Sequence, residues 1–218
     1  MVAAHSDDEA LGCGGTMARL AEEGWDVGVV FMTNGVGARV EESRGDQIQQ
    51  RRQAAELAVR TLGARICGHF DYPDNAMDSV SLLQICQSLE TVAREFRPDV
   101  VFTHSLADLN VDHGIVHRAT LTAFRPLPGS SVAAIFCFEV PSSTGWGSAS
   151  AAGFQPTLYV DVTLTFERKL EALRCYDAEM RAAPHPRSAA VVESLAQWRG
   201  GLAGLERAEA FEVQRIIV

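Results

Sequence analysis

The sequence predicts an α/β fold, a Rossmann-like three-layer sandwich in which helices flank a mostly parallel sheet. Two observations carry this expectation. Apolar runs of strand length alternate with segments of helical periodicity along most of the 218 residues, the order that builds βαβ units. The runs are also continuously apolar, as in Asp26 to Thr33 (DVGVVFMT), which suits parallel strands buried on both faces.

The elements follow in order. Met1-Val2-Ala3-Ala4 opens as a strand, so short that it points to a start upstream or a trimmed edge. A helix from Gly14 to Glu23 is stopped by Gly24, and the strand Asp26 to Thr33 completes one unit. Asn34 to Gly45 is polar and reads as a loop. Ile48, Ala55, Leu57, Ala58 and Leu62 give Gln47 to Leu62 a helical period ending at Gly63. Ala64 to Phe70 is the next strand, Asp71 to Asn75 a turn, and Leu82 to Phe96 a helix broken by Arg97-Pro98. Asp99 to Thr103 (DVVFT) is a strand, His104 to Asp112 a polar loop, Gly114 to Phe124 a helix and Ala133 to Val140 a strand. The last third holds a small-residue loop from Ser142 to Gly153, a short strand at Leu158 to Val162 and a helix from Phe166 to Met180. After the Pro184-His185-Pro186 interruption come another helix and a terminal run from Phe211 to Val218. No repeat or linker divides the chain, so residues 1–218 read as one domain.

Composition narrows the function classes. A formal net charge of -9 and the lack of any basic cluster disfavour nucleic acid as a partner. Cys13, Cys67, Cys86, Cys137 and Cys175 are odd in number and have no C-x-x-C spacing, so they are expected as reduced core thiols. No apolar stretch is long enough to span a membrane and no signal-type leader opens the chain, which points to a cytoplasmic protein.

Two polar clusters fall where strands give way to helices. The first, His5-Ser6-Asp7-Asp8-Glu9, crowds an imidazole and three carboxylates together, an arrangement that needs a shared proton or a cation. The second runs from Thr103 to His117 and includes His104, Asp108, Asn110, Asp112, His113 and His117. Were a helix to begin near Asp112, His113 and His117 would share one face at metal-binding spacing, although Asp112 could instead cap that helix. Each cluster alone could be a solvated turn. Both follow strands of one inferred sheet, on the edge where open α/β sheets place their sites, and they offer complementary ligand types, so a metal site is the better reading. Gly12, Gly14 and Gly15 do not make a dinucleotide loop: the spacing is not G-x-G-x-x-G and carboxylates would face a pyrophosphate. They suit close approach of helix to sheet.

The chain resembles the PIG-L/LmbE family of zinc-dependent N-acetyl sugar deacetylases. The family's Ala-His-Pro-Asp-Asp-Glu signature stands here as Ala4-His5-Ser6-Asp7-Asp8-Glu9, with serine in place of proline. Its His-Pro-Asp-His signature stands as Asn110-Val111-Asp112-His113, without the first histidine. Tyr72-Pro73-Asp74-Asn75-Ala76-Met77-Asp78, Pro184-His185-Pro186-Arg187-Ser188 and Ala208-Glu209-Ala210-Phe211 are similar to a branch associated with bacterial surface-polysaccharide sugars.

The resemblance implies that His5, Asp8 and His113 bind one zinc ion per chain and that Asp7 is the general base. Three protein ligands leave a position for water, whose pKa falls to about 7 on such a metal. Asparagine at 110 can donate only as a neutral amide. His104, His117 and His185 are therefore the candidates to replace the missing oxyanion donor, with His117 alternatively orienting a ligand. Arg44, Arg51, Arg52, Asp74 and Asp78 lie in or after loops at the inferred site edge and could bind sugar hydroxyls or a phosphate handle. Arg51 matches a family position. His185 and Arg187 form a rigid polar corner, and Trp146 could stack on a sugar; His69, Trp25 and Trp198 read as structural. The expected substrate is a small N-acetyl amino sugar or its conjugate. Rival readings are an amidase acting on a non-sugar metabolite and a nucleotide- or metal-binding module without hydrolysis.

Overall fold

The computed structural model describes residues 1–35, 44–147 and 153–218, with the side chains of residues 44 and 45 also left aside. The strands are β1 (Val2–Ala3), β2 (Gly28–Thr33), β3 (Arg65–Tyr72), β4 (Val100–His104), β5 (Ala134–Phe138), β6 (Leu158–Asp161) and β7 (Ala208–Ile216). The helices are α1 (Asp8–Glu22), α2 (Arg44–Thr61), α3 (Leu82–Phe96), α4 (Val111–Ala123), α5 (Phe166–Cys175) and α6 (Ala189–Ala203).

The fold is α/β with a mostly parallel sheet. One ladder runs β1-β2-β3, all parallel; the other runs β4-β5-β7-β6, parallel between β4 and β5 and antiparallel where β7 meets β5 and β6. β1 lies alongside β4. The short β1 is therefore not an edge but the inner border of its ladder, and the Ala4 N–H donates to His104 Nε2 at 2.9 Å across the seam.

Strand alternation divides the apolar residues between two helical layers. From β2, Val29 and Phe31 join one core with residues of α1, α2, α5 and α6, whereas Val30 and Met32 join the other with residues of α3 and α4. Period-two alternation on a sheet covered on both faces accounts for the continuous apolar run.

Local signals set several helix ends. Ser81 and Ser188 cap α3 and α6 by accepting from Gln84 N and Val191 N, and α6 stops at Gly204 in the left-handed region. Tertiary packing moves other boundaries. α1 begins at Asp8 rather than Gly14, because its glycines are contact points rather than breakers. A Cβ at Gly12 would lie 2.4 Å from the Phe138 ring, and one at Gly15 would lie 2.7 Å from Val162. α4 begins at Val111, three residues earlier than expected, because Asn110 caps it. α5 stops at Cys175 instead of Met180, releasing residues 176–179 to line a cleft.

A buried ion pair ties α1 to α5 and β7. Lys169 Nζ donates to Glu209 at 2.6 Å and to Leu11 O at 2.8 Å, and Glu209 accepts the N–H groups of Gly15 and Thr16. Each buried charge is thus matched by a charge and by backbone, as burial requires. Of the five cysteines, all free, Cys13, Cys86 and Cys137 are buried while Cys67 and Cys175 are partly exposed.

The two uses of helical glycine can be separated by mutation. Gly12→Ala should lower the unfolding free energy by about 1–3 kcal/mol through overpacking against Phe138. Gly201→Ala, in α6 with open space around it, should raise it by about 0.5–1 kcal/mol. Chemical denaturation of the two variants measures both signs.

Candidate active site

β1 and β4 deliver the two polar clusters to one point. Three acceptor atoms converge there: His5 Nδ1 lies 3.1 Å from both Asp8 Oδ2 and His113 Nε2, and the last two are 3.2 Å apart. All three residues are buried. Each imidazole is oriented from behind by a carboxylate, which assigns its tautomer. His5 Nε2–H faces Asp112 Oδ2 and Asp74 Oδ1, each at 3.1 Å; His113 Nδ1–H faces Asp108 Oδ2 at 3.1 Å. With those protons turned outward, the inner lone pairs meet each other and a carboxylate, a mutually repulsive set unless a positive charge lies among them.

The set fits a divalent metal. Zinc bonds of 2.0–2.1 Å in tetrahedral array place neighbouring donor atoms about 3.3 Å apart, close to the observed spacings. Asp8 Oδ1 is buried without a partner among the described residues. Without a metal, protons compensate. Burial lowers the basicity of both imidazoles, but Asp112, Asp74 and Asp8 more than offset this for His5, which sits well above its ordinary value, and Asp8 and Asp108 lift His113 to about 9. Burial raises Asp8, yet His113 and His104 hold it well below the usual carboxylate range. His5, Asp74 and Asp112 also offer three clustered ligand atoms. The outward His5 proton occupies that space, so these carboxylates serve to orient the imidazole.

Asp112 and Asp108 are themselves fixed. Asp112 accepts the N–H groups of Asn75 and Met77. Asp108 accepts from Ser143 Oγ, Thr144 Oγ1 and the Asn110 N–H.

Asp7 stands beside the cluster in a strained conformation, with φ 131°. Its N–H donates to Glu9 Oε2, while Glu9 Oε1 accepts from Tyr176 OH at 2.7 Å. Burial drives Glu9 up to about 8. Burial also raises Asp7, which Arg187 opposes and Asp8 reinforces, giving about 6. Arg187 Nη1 is 2.8 Å from Asp7 Oδ2. Asp7 Oδ1 is buried and has no partner among the described residues, as is Ser6 Oγ at the position where the signature has proline.

A cleft of about 450 Å³ opens onto this centre, lined by His5, Gln47, Gln50, Arg51, Asp74, Asn75, Asn110, Tyr176, Glu179 and Arg187 among others. Arg51 pairs with Glu179 at 2.8 Å. Of the sequence-derived contacts, Arg51, Asp74 and Arg187 therefore reach the cleft. Asp78 does not: it is exposed in a 3-10 turn whose buried residue is Met77. Arg52 pairs with Asp71 on the surface, and the Arg44 side chain lies outside the described residues.

The candidate donor histidines separate. His104 is fully buried, and its ring stacks on His113 with centroids 3.9 Å apart. Burial and His113 hold it well below its ordinary pKa, and its Nε2 accepts from Ala4. It supports His113 from behind and, wholly buried, does not line the cleft. The i, i+4 reading of His113 and His117 is corrected as well: His117 turns toward β4, where Nδ1 donates to His104 O at 2.8 Å. His185 accepts the Arg187 N–H on Nδ1 and meets Trp146 edge-on, leaving Nε2 as its donor. Trp146 is 56% exposed. Asn110, not Asp112, caps α4: its Oδ1 accepts the Asp112 N–H and its Nδ2 donates to Asn75 Oδ1.

Sequence reasoning missed Asp108 and Asp112 as the carboxylates behind the imidazoles, and Tyr176 and Glu179 in the cleft. Asp108 and Asp112 lay within the second cluster, but their spacing does not reveal which ring nitrogen they meet. Tyr176 and Glu179 were hidden inside an overextended helix.

The family described as GlcNAc-PI de-N-acetylase (PIG-L) matches residues 1–124. The uncharacterized deacetylase YaiS of Escherichia coli (strain K12) is 32% identical, over 79% of this chain and 86% of the relative. A 4-oxalmesaconate hydratase of Pseudomonas putida is 29% identical, over 80% of this chain and 71% of the relative. Among solved structures, the N,N'-diacetylchitobiose deacetylase of Pyrococcus horikoshii shares the fold with a TM-score of 0.79 at 22% identity, covering 98% of this chain and 82% of that one. Matched by the family over more than half its length and by a relative over most of it, the chain belongs to the PIG-L family.

Proposed function

We propose that the protein is a zinc-dependent hydrolase that removes the N-acetyl group from an acetamido sugar or sugar conjugate. The observation that carries this reading is the convergence of His5 Nδ1, Asp8 Oδ2 and His113 Nε2 behind a polar cleft that His5 lines, with a second carboxylate, Asp7, adjacent to Asp8 in the chain. A divalent ion held by these three residues supplies Lewis acidity toward a carbonyl oxygen and acidifies water near neutral pH.

The remaining chemistry belongs to the chain. Asp7 takes a proton from the attacking water as the water oxygen bonds to the amide carbon. As the C–N bond breaks, Asp7 returns that proton to the departing nitrogen, leaving acetate and a free amine. Asp112 and Asp108 hold the two imidazoles in their working tautomers. Asn110, which lines the cleft and has a second Nδ2 hydrogen to donate beyond the one given to Asn75, is assigned to the developing oxyanion, with His185 Nε2 the remaining histidine candidate, since His104 and His117 are committed elsewhere. Gln47, Gln50, Asp74 and Asn75 suit sugar hydroxyls, and the names of the deacetylase relatives support a sugar substrate.

The P. putida relative motivates a second reading, addition of water to a carbon–carbon double bond. The two are separated by product: acetate from a panel of N-acetyl sugars, including nucleotide-linked ones, or consumption of an unsaturated tricarboxylic acid. Zinc-loaded protein that yields no acetate from any member of the panel overturns the deacetylase reading.

Asp7→Asn should retain zinc while losing about 10²–10⁴-fold in turnover; loss of zinc by this variant would make Asp7 a ligand instead. Metal analysis should find zinc stripped from His113→Ala and kept by His117→Ala, and the reverse would overturn the ligand set. Because the imidazoles must shed protons to bind metal, zinc affinity should fall as pH is lowered from 8 to 6. Calorimetry in buffers of different ionisation enthalpy should register proton release, and binding that is independent of pH would contradict the assignment.

A further inference from the structure

Arg187 was expected to bind substrate, yet its best contact is with the protein. Its Nη1 lies 2.8 Å from Asp7 Oδ2, its Nε donates to Ser142 Oγ at 3.3 Å, and Glu179 Oε2 stands 3.9 Å from Nη1. Glu179 is in turn paired with Arg51 of α2. The guanidinium is mostly buried and Asp7 almost wholly so, with side chains 23% and 3% exposed. The anchors on both sides are unusual: Asp7 and Ser142 are two of four non-glycine residues with positive φ among the described residues, at 131° and 95°. Backbone strain of this kind persists only where surrounding contacts over-determine it.

Resting on the hydrolase reading, we propose that Arg187 is a positioning residue for the general base. It pins Asp7 Oδ2 and leaves Oδ1, the buried oxygen without a partner, as the one that exchanges protons with water and the departing nitrogen. A carboxylate free to rotate about χ2 would present either oxygen at varying angles. One fixed by a charge-assisted bond to a guanidinium that is itself held by Ser142 presents one oxygen in one direction. The tether also explains why a cleft cation sits on an acidic group rather than open to ligand. Arg187 follows directly on the Pro184-His185-Pro186 corner and precedes the cap of α6, so its backbone is well placed to hold the side chain in register.

The test compares Arg187→Gln and Arg187→Lys with the parent, on metal-loaded protein for kinetics and metal-free protein for crystallography. Arg187→Gln should reduce kcat by about 10–100-fold with KM changed less than about threefold, while zinc content is unchanged. Arg187→Lys, which keeps the charge but not the fork, should recover part of kcat. In crystals, the Asp7 carboxylate should keep the parent orientation in Arg187→Lys and turn away from it in Arg187→Gln. A raised KM with kcat intact would make Arg187 a substrate-holding group and overturn the proposal, as would an unmoved Asp7 carboxylate in Arg187→Gln. The crystallographic arm decides the question even if the parent releases no acetate, an outcome that would instead remove the hydrolase reading.

Discussion

Three acceptor atoms, His5 Nδ1, Asp8 Oδ2 and His113 Nε2, held within 3.2 Å of one another, set the electrostatic constraint around which the site is built. Such a set is tolerable only with positive charge at its centre, as protons or as a metal. Everything next to it fixes which atoms converge. Asp112 and Asp108 turn the imidazole protons outward, and backbone amides from Asn75, Met77 and Asn110 fix those carboxylates in turn. Residues far apart in sequence are thus bound into one polar network, and a network of this kind is stable only when each member is satisfied.

The fold supplies the meeting point. β1 and β4 border the seam between the two ladders, so the loops after them open side by side, where open α/β sheets form their crevices. A two-residue β1 offers little ladder to close that seam. The Ala4 N–H finds its partner in the His104 ring instead, and His104 stacks on His113. A residue expected to act on substrate thereby joins the sheet to the His5–Asp8–His113 cluster. Close packing of α1 serves the same end: Gly12 and Gly15 let the helix that starts at Asp8 settle against Phe138 and Val162, and the Lys169–Glu209 pair locks it there.

The cleft is built from the segment between α5 and α6 together with α2. That segment brings Tyr176 to Glu9, Glu179 to Arg51 and Arg187 to Asp7. The strained backbones of Asp7 and Ser142 meet through Arg187, which bonds both side chains, the pattern expected where function dictates conformation. The cleft cations Arg51 and Arg187 are matched by the carboxylates of Glu179 and Asp7, so neither stands there as an uncompensated charge.

Much of this was legible in the sequence. Continuous apolar runs marked the buried strands, glycines marked close approach of α1, and the two polar clusters marked the ligand types, because composition and short-range spacing report burial and local chemistry directly. Spacing failed where partners come from other elements. His113 and His117 are one helical turn apart and still diverge, Asn110 takes the cap that Asp112 could have filled, and the glycines of α1 do not delay its start. Asp112 and Arg187 acquire their parts from groups tens of residues away or more, and Asp108, though only five residues from the His113 it meets, is also held by Ser143 and Thr144 of a distant segment. The sequence by itself determined the α/β class and the set of residues able to bind a cation; the tertiary structure alone decided which atoms of that set face inward, because orientation depends on long-range hydrogen bonds that no local pattern encodes.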